Sequence, residues 1–237
     1  MKKPLSITYE FVFPDSHTRT YTIRIDRERL LLVGDSEAEP CEWARLDYHQ
    51  CGHCPLTKDT SPSCPIASAI WQLVLFFKDE ISYKRCSVRV LTDQRAYMQE
   101  VSVQEGLYSI LGLVMATSGC PHMTFLKPMA YFHLPFSSVE ETIVRAISLY
   151  LLKQYFVWKR RGGSPDWNLE NLEQHYENVR MVNEGTLKRI RSLTKKGDAD
   201  LNAVVILDDF ASMLNLEISQ GLEEYESIFL DTPADRA

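Results

Sequence analysis

Four cysteines have the spacing of a ligand set. Cys51 and Cys54 form a Cys-x2-Cys pair within Tyr48-His49-Gln50-Cys51-Gly52-His53-Cys54-Pro55. Cys64 follows in Ser63-Cys64-Pro65, and Cys120 stands much later in Gly119-Cys120-Pro121-His122. A Cys-x2-Cys turn sets two thiolates on one side of a tight loop, which suits a single ion or the corner of a cluster. Cys64 directly precedes a predicted helix, whose N-terminus stabilises a thiolate. Cys120 stands at a helix end, from where it can swing toward the loop. Proline directly after Cys54, Cys64 and Cys120 removes an amide and stiffens the chain's exit. That Cys-Pro habit recurs around iron–sulfur clusters, whereas zinc ribbons more often carry glycine after the second cysteine. The pattern therefore favours a 4Fe-4S cluster slightly over structural zinc. Three cysteines with His49, His53 or His122 is a further zinc arrangement. Redox-active thiols or a disulfide, and plain core packing, are the competing readings, because cysteine is also a good buried apolar residue.

Other candidates for chemistry are weaker. Cys120 and His122 resemble a nucleophile and base but lack an orienting third group. The stretch Met123 to Phe136, rich in Met, Phe, Tyr and His, can line a ligand pocket or simply pack in a core. His133 within it reads as a hydrogen-bonded core histidine. Asp208 and Asp209 are helix neighbours that point apart and make no acid/base pair. Lys153, Lys159, Arg160 and Arg161 read as a solvated helix end that complements the dipole. No Gly-rich phosphate loop, His-Glu-x2-His run or Gly-x-Ser-x-Gly elbow is present.

Patterning sets the elements that must position the cysteines. Alternation at Ile7, Tyr9, Phe11 and Phe13, then at Tyr21, Ile23 and Ile25, predicts a β-hairpin over residues 5–26. Leu30 to Val33 suggests a third strand, followed by an acidic loop from Gly34 to Pro40. Residues 41–66 have no period and form a long irregular segment, which is uncommon unless something organises it. A helix is expected from Ile66 to Lys78, strands at 86–92 and 96–101, and a helix from a Ser102/Glu105 capping box to Thr117. Cys41 and Cys86 lack the motif context, and Cys86 opens a strand as a core residue. Phe125 to His133 reads as a short helix or turn interrupted by Pro128.

From Ser137 the chain reads as helix. The first starts at a Ser138/Glu141 capping box and stops at Gly162-Gly163. The second starts near Pro165-Asp166 and stops at Gly197, with acids early and bases such as Lys188, Arg189 and Arg191 late, matching its dipole. A third spans about Asp200 to Asn215, and a shorter acidic one about Gln220 to Leu230. The expected class is α+β, with residues 1–136 as an α+β part carrying the cysteine loop and 137–237 as a helical part packed with it as one unit.

The chain of 237 residues is 45% hydrophobic and 11% aromatic, enough for a substantial core and incompatible with intrinsic disorder. A net charge of -6 and a pI near 5.6 disfavour nucleic acid as a partner. No secretory or membrane segment is evident, so the expected compartment is the cytoplasm. In a reducing compartment cysteines are metal-bound or free rather than paired.

Several runs together resemble a bacterial family known only as a domain of unknown function. They are Gln50-Cys51 through Cys64-Pro65-Ile66-Ala67, Gln104-Glu105-Gly106-Leu107, Met115-Ala116-Thr117-Ser118-Gly119-Cys120-Pro121, and Pro128-Met129-Ala130 through Phe132-His133-Leu134-Pro135-Phe136. Asp166-Trp167-Asn168-Leu169 and Asp200-Leu201-Asn202-Ala203 fit it too. The resemblance covers nearly the whole chain. It implies a soluble, stand-alone bacterial protein with Cys51, Cys54, Cys64 and Cys120 as signature cysteines, and it implies no activity. The expected function is a cysteine-ligated metal centre that organises an interaction or regulatory module, with a protein partner or a small molecule. The alternatives are an iron–sulfur redox or sensor protein and a small-molecule enzyme using the cluster.

Overall fold

The computed structural model describes residues 2–33, 42–77, 79–193 and 198–230. The expected acidic loop 34–40, Cys41 and the helix stop at Gly197 lie outside the described residues. The fold is α+β: an N-terminal antiparallel sheet followed by a mainly helical region.

Alternating apolar residues build the sheet. Strands β1 (Leu5–Val12) and β2 (Thr18–Ile25) form the expected hairpin, and β3 (Arg85–Thr92) pairs with β4 (Ala96–Ser102). The order is β2-β1-β3-β4, with β1 antiparallel to β3 across Tyr9↔Val90 and Phe11↔Val88. Ile7, Tyr9 and Phe11 of β1 and Cys86, Val88 and Val90 of β3 are buried on one face. The other face carries Thr8 bonded to Thr22 (3.0 Å) and Glu10 paired with Arg89 (3.7 Å). One apolar and one polar face are what an antiparallel sheet covered on a single side requires.

Helices α1 (Pro65–Phe77) and α2 (Val103–Thr117) pack with that apolar face. At Gly106 of α2 a Cβ would stand 2.6 Å from the Phe11 ring, so only glycine permits this approach. The Ser102/Glu105 capping box forms, with the Ser102 N–H and hydroxyl both donating to the Glu105 carboxylate at 2.6 Å. A 3-10 helix (Pro121–Leu126) and α3 (Lys127–Tyr131) follow, then α4 (Val139–Arg161), α5 (Glu170–Leu193), α6 (Ala199–Ser219) and α7 (Glu223–Phe229). α6 packs against α2 and α5, and Asp198 before it accepts from the Ser82 N–H (2.8 Å) and hydroxyl (3.0 Å). Buried apolar residues from Ile7 to Tyr225 form one cluster. Among the described residues no single helix is long and apolar enough to cross a membrane.

Several boundaries differ from expectation. Leu30–Val33 is not a strand: Leu32 makes only an isolated bridge to Ile25, because the turn at Asp26 closes on Leu31 and puts Leu30 at φ 52°. Pro128 does not interrupt a helix; it stands in the first turn of α3, where its missing N–H costs nothing. Helix α5 begins at Glu170 rather than near Pro165-Asp166. Asp166 instead accepts from the Tyr150 hydroxyl (2.6 Å) and the Asn171 N–H (3.0 Å), tying the entry of α5 to α4. Helix α6 runs one turn beyond Asn215, to Ser219.

Candidate metal centre

The irregular cysteine segment is held by its backbone. Residues 44–46 run antiparallel to 62–64: the Cys64 N–H donates to the Ala44 carbonyl (2.8 Å) and the Leu46 N–H to the Pro62 carbonyl (3.0 Å). Cys64 then caps α1, its carbonyl accepting from the Ser68 N–H at 3.0 Å. In the Cys-x2-Cys turn the Cys54 N–H donates to the Cys51 carbonyl at 3.0 Å. Cys120 stands at the head of the 3-10 helix, its carbonyl accepting from the Met123 N–H at 3.1 Å.

All four cysteines line one small cavity of about 20 Å³, closed on the far side by α5 through Val182, Gly185, Thr186 and Arg189. Cys51, Cys54 and Cys64 are half-buried and Cys120 is buried. All four are free thiols, so no disulfide joins them. Among the described residues no three His, Cys, Asp or Glu side chains are drawn together as a bound ion would hold them. The four thiols ring a cavity instead. Burial, then the neighbouring thiols of Cys64, Cys54 and Cys120, push the Cys51 thiol up to about 11, against the opposing Arg189 cation. Burial likewise pushes Cys120 up to about 11, opposed by the backbone N–H groups of His122 and Met123.

Two α5 residues that build this cavity escape a sequence reading. A Cβ at Gly185 would lie 2.7 Å from the Cys51 sulfur, so any side chain there must displace that thiol. Mid-helix glycine costs about 1 kcal/mol relative to alanine, and that cost is the signal that a close approach demands it. Arg189 is not a solvated base at a helix end. It is 3% exposed and donates to the carbonyls of Trp43, Arg45 (3.1 Å) and Leu46 (3.3 Å). The Trp43 indole in turn donates to the Arg189 carbonyl at 2.7 Å. Burial lowers the Arg189 pKa, opposed by the thiols of Cys64 and Cys51. A guanidinium stays charged in a protein, and no carboxylate pairs with it among the described residues. The groups of potential negative charge acting on it are the thiols of Cys64 and Cys51, then Tyr48 and Asp47.

The histidines are engaged elsewhere. His53 and His122 stack at 4.1 Å. The His53 Nε2 donates to the Asn178 carbonyl (3.1 Å) and the His122 Nε2 to the His53 carbonyl (3.0 Å), which leaves only Nδ1 on each ring for a metal. The His53 Nδ1 is buried without a hydrogen-bond partner. Of the two, His122 borders the cavity and His53 does not. His49 does not line the cavity; it has φ 49° and its ring is edge-on to Tyr48. Cys86 is buried on β3, away from this cavity. His133 is a hydrogen-bonded core histidine, its Nε2 2.5 Å from the Tyr9 hydroxyl, and burial pushes its pKa down to about 3.

The chain belongs to the family described as domain of unknown function DUF6901, which matches residues 7–230. No curated protein and no solved structure matches it.

Proposed function

We propose that Cys51, Cys54, Cys64 and Cys120 hold one metal centre, a 4Fe-4S cluster in preference to zinc, and that this centre organises an interaction or regulatory module. The observation that carries the reading is the meeting of four thiols, three from the 42–64 segment and one from the head of the 3-10 helix, around one cavity beside a buried arginine. The donor set fits. Four thiolates around a zinc ion or a doubly charged cluster form a dianionic unit, which is the partner a buried cation requires. The backbone N–H groups of His122 and Met123 favour the ionised form of Cys120. Gly52 in the Cys-x2-Cys turn has open space around its Cα.

The chain's own residues supply the cradle. Gly185 clears room for the Cys51 sulfur, Arg189 offsets negative charge, and Pro55, Pro65 and Pro121 fix the backbone beyond each thiol. A bound centre supplies folding free energy by joining the 42–64 segment to α1, α5 and the 3-10 helix. A zinc ion is the second reading, favoured by the small cavity. An electron-transfer or sensing role is an alternative, favoured by the half-burial of three thiols, which sets the centre near the surface.

Anaerobic purification followed by elemental analysis and absorbance tests this. A brown protein with four irons and matching sulfide per chain is the expected result (four being the count of one such cluster, about four Fe per site). A colourless protein with one zinc per chain supports the second reading. Protein that takes up neither metal on reconstitution overturns both.

A further inference from the structure

A second cavity, of about 150 Å³ and half-open to solvent, lies between α2, α3, α4, α5 and α6. Its walls are mostly apolar, with Leu113, Met129, Val179 and Phe210 among them. An apolar void of this size accepts a benzene-sized body (about 150 Å³ in the known case). The Met123–Phe136 stretch does supply a wall, through Met123, Met129 and His133.

The polar groups on this wall are unequal. Ser109 and His133 are satisfied by the Tyr9 hydroxyl, at 2.8 and 2.5 Å. Asn183 is not. It is 0% exposed, its Nδ2 donates to Asp208 at 3.3 Å, and its Oδ1 has no hydrogen-bond partner among the described residues. A buried carbonyl left without a donor is costly, so this atom marks the place of a missing N–H or O–H. Among the described residues Arg145 is the one cation on the wall. It gives one N–H to the Phe132 carbonyl (2.7 Å) and has no ion pair among the described residues. Its remaining donors suit a carboxylate.

We propose that this cavity binds a small hydroxylated carboxylate with a ring-sized apolar body, the acid group meeting Arg145 and the hydroxyl donating to Asn183. The proposal does not depend on the metal centre, since Asn183 and Arg145 do not border the cysteine cavity.

Calorimetric titration of the full metal-loaded chain with 4-hydroxybenzoate, benzoate and phenol tests it. 4-Hydroxybenzoate should bind most tightly. Arg145→Met should weaken 4-hydroxybenzoate and benzoate by about tenfold while leaving phenol unchanged, and Asn183→Leu should weaken 4-hydroxybenzoate and phenol while leaving benzoate unchanged. Ala211→Leu, on the cavity wall, should abolish binding of all three while keeping metal content and circular dichroism. Absence of binding by all three at millimolar concentration means the cavity holds water only and overturns the proposal. So does binding that survives Ala211→Leu, or that neither polar substitution alters.

Discussion

Cys64→Ser is expected to strip the metal and most of the stability together, while Cys86→Ser keeps the metal. Cys64 joins the two halves of the arrangement. Its N–H closes the antiparallel contact with Ala44 and its carbonyl starts α1, while its sulfur faces the cavity shared with Cys51, Cys54 and Cys120. A cysteine-bound centre contributes on the order of 10 kcal/mol in small metal domains, comparable to the about 5–15 kcal/mol that holds a whole domain folded. Serine keeps the backbone contacts and removes only the soft ligand, so the loss falls on the metal term. Cys86 provides the control. It is 2% exposed within β3, and a serine there buries a hydroxyl at a cost of about 1–3 kcal/mol without touching the cavity. Metal per chain and the urea midpoint, measured on both variants, separate the two effects. Full metal content in Cys64→Ser would falsify the ligand assignment.

Arg189→Leu has the second large effect. Leucine fills much of the same volume but leaves the carbonyls of Trp43, Arg45 and Leu46 without their buried donor. Removing one member of a buried charged arrangement costs about 3–5 kcal/mol, because its partners stay behind uncompensated. Here the partners are three carbonyls and, with metal bound, the dianionic centre. Arg189→Lys keeps the charge but cannot reach three carbonyls with a planar fork, so its loss should be intermediate. Denaturant titration of the metal-loaded proteins should rank wild type above Lys and Lys above Leu, with Leu also releasing metal soonest. A leucine variant within about 1 kcal/mol of wild type would show that the arginine is not needed to balance charge at this place.

Much of the fold was legible because its signals are local. Period-two alternation marked β1 and β2, and the capping boxes at Ser102 and Ser138 marked the starts of α2 and α4. The central pairing of β1 with β3 was not legible, since strand order depends on contacts between residues some eighty positions apart. Leu30–Val33 looked like a strand because its side chains are apolar, but the Asp26 turn set its course. Pro165-Asp166 resembled a helix start, and the hydrogen bond from Tyr150 turned it into an anchor instead.

The candidate site divides the same way. The Cys-x2-Cys pair and the Cys-Pro repeats singled out the four cysteines that line one cavity, because that spacing is written along the chain. Gly185 and Arg189 were missed because they act across space, from a helix far from the cysteine loop in sequence. Arg189 carried a misleading signal: a base in the late turns of a helix suits the dipole whether or not it is buried. Asn183 gave no signal at all, since an asparagine within an apolar stripe reveals its unpaired oxygen only once its neighbours are placed.

X-ray absorption at the metal edge of the anaerobically purified chain reads the metal's ligands themselves. The first shell should be sulfur alone, at about 2.3 Å, with iron neighbours beyond it if the centre is a cluster. That shell should collapse in Cys120→Ser as fully as in Cys51→Ser. Nitrogen or oxygen in the first shell of the native protein, or a Cys120→Ser spectrum identical to wild type, would contradict a single centre bound by these four thiols.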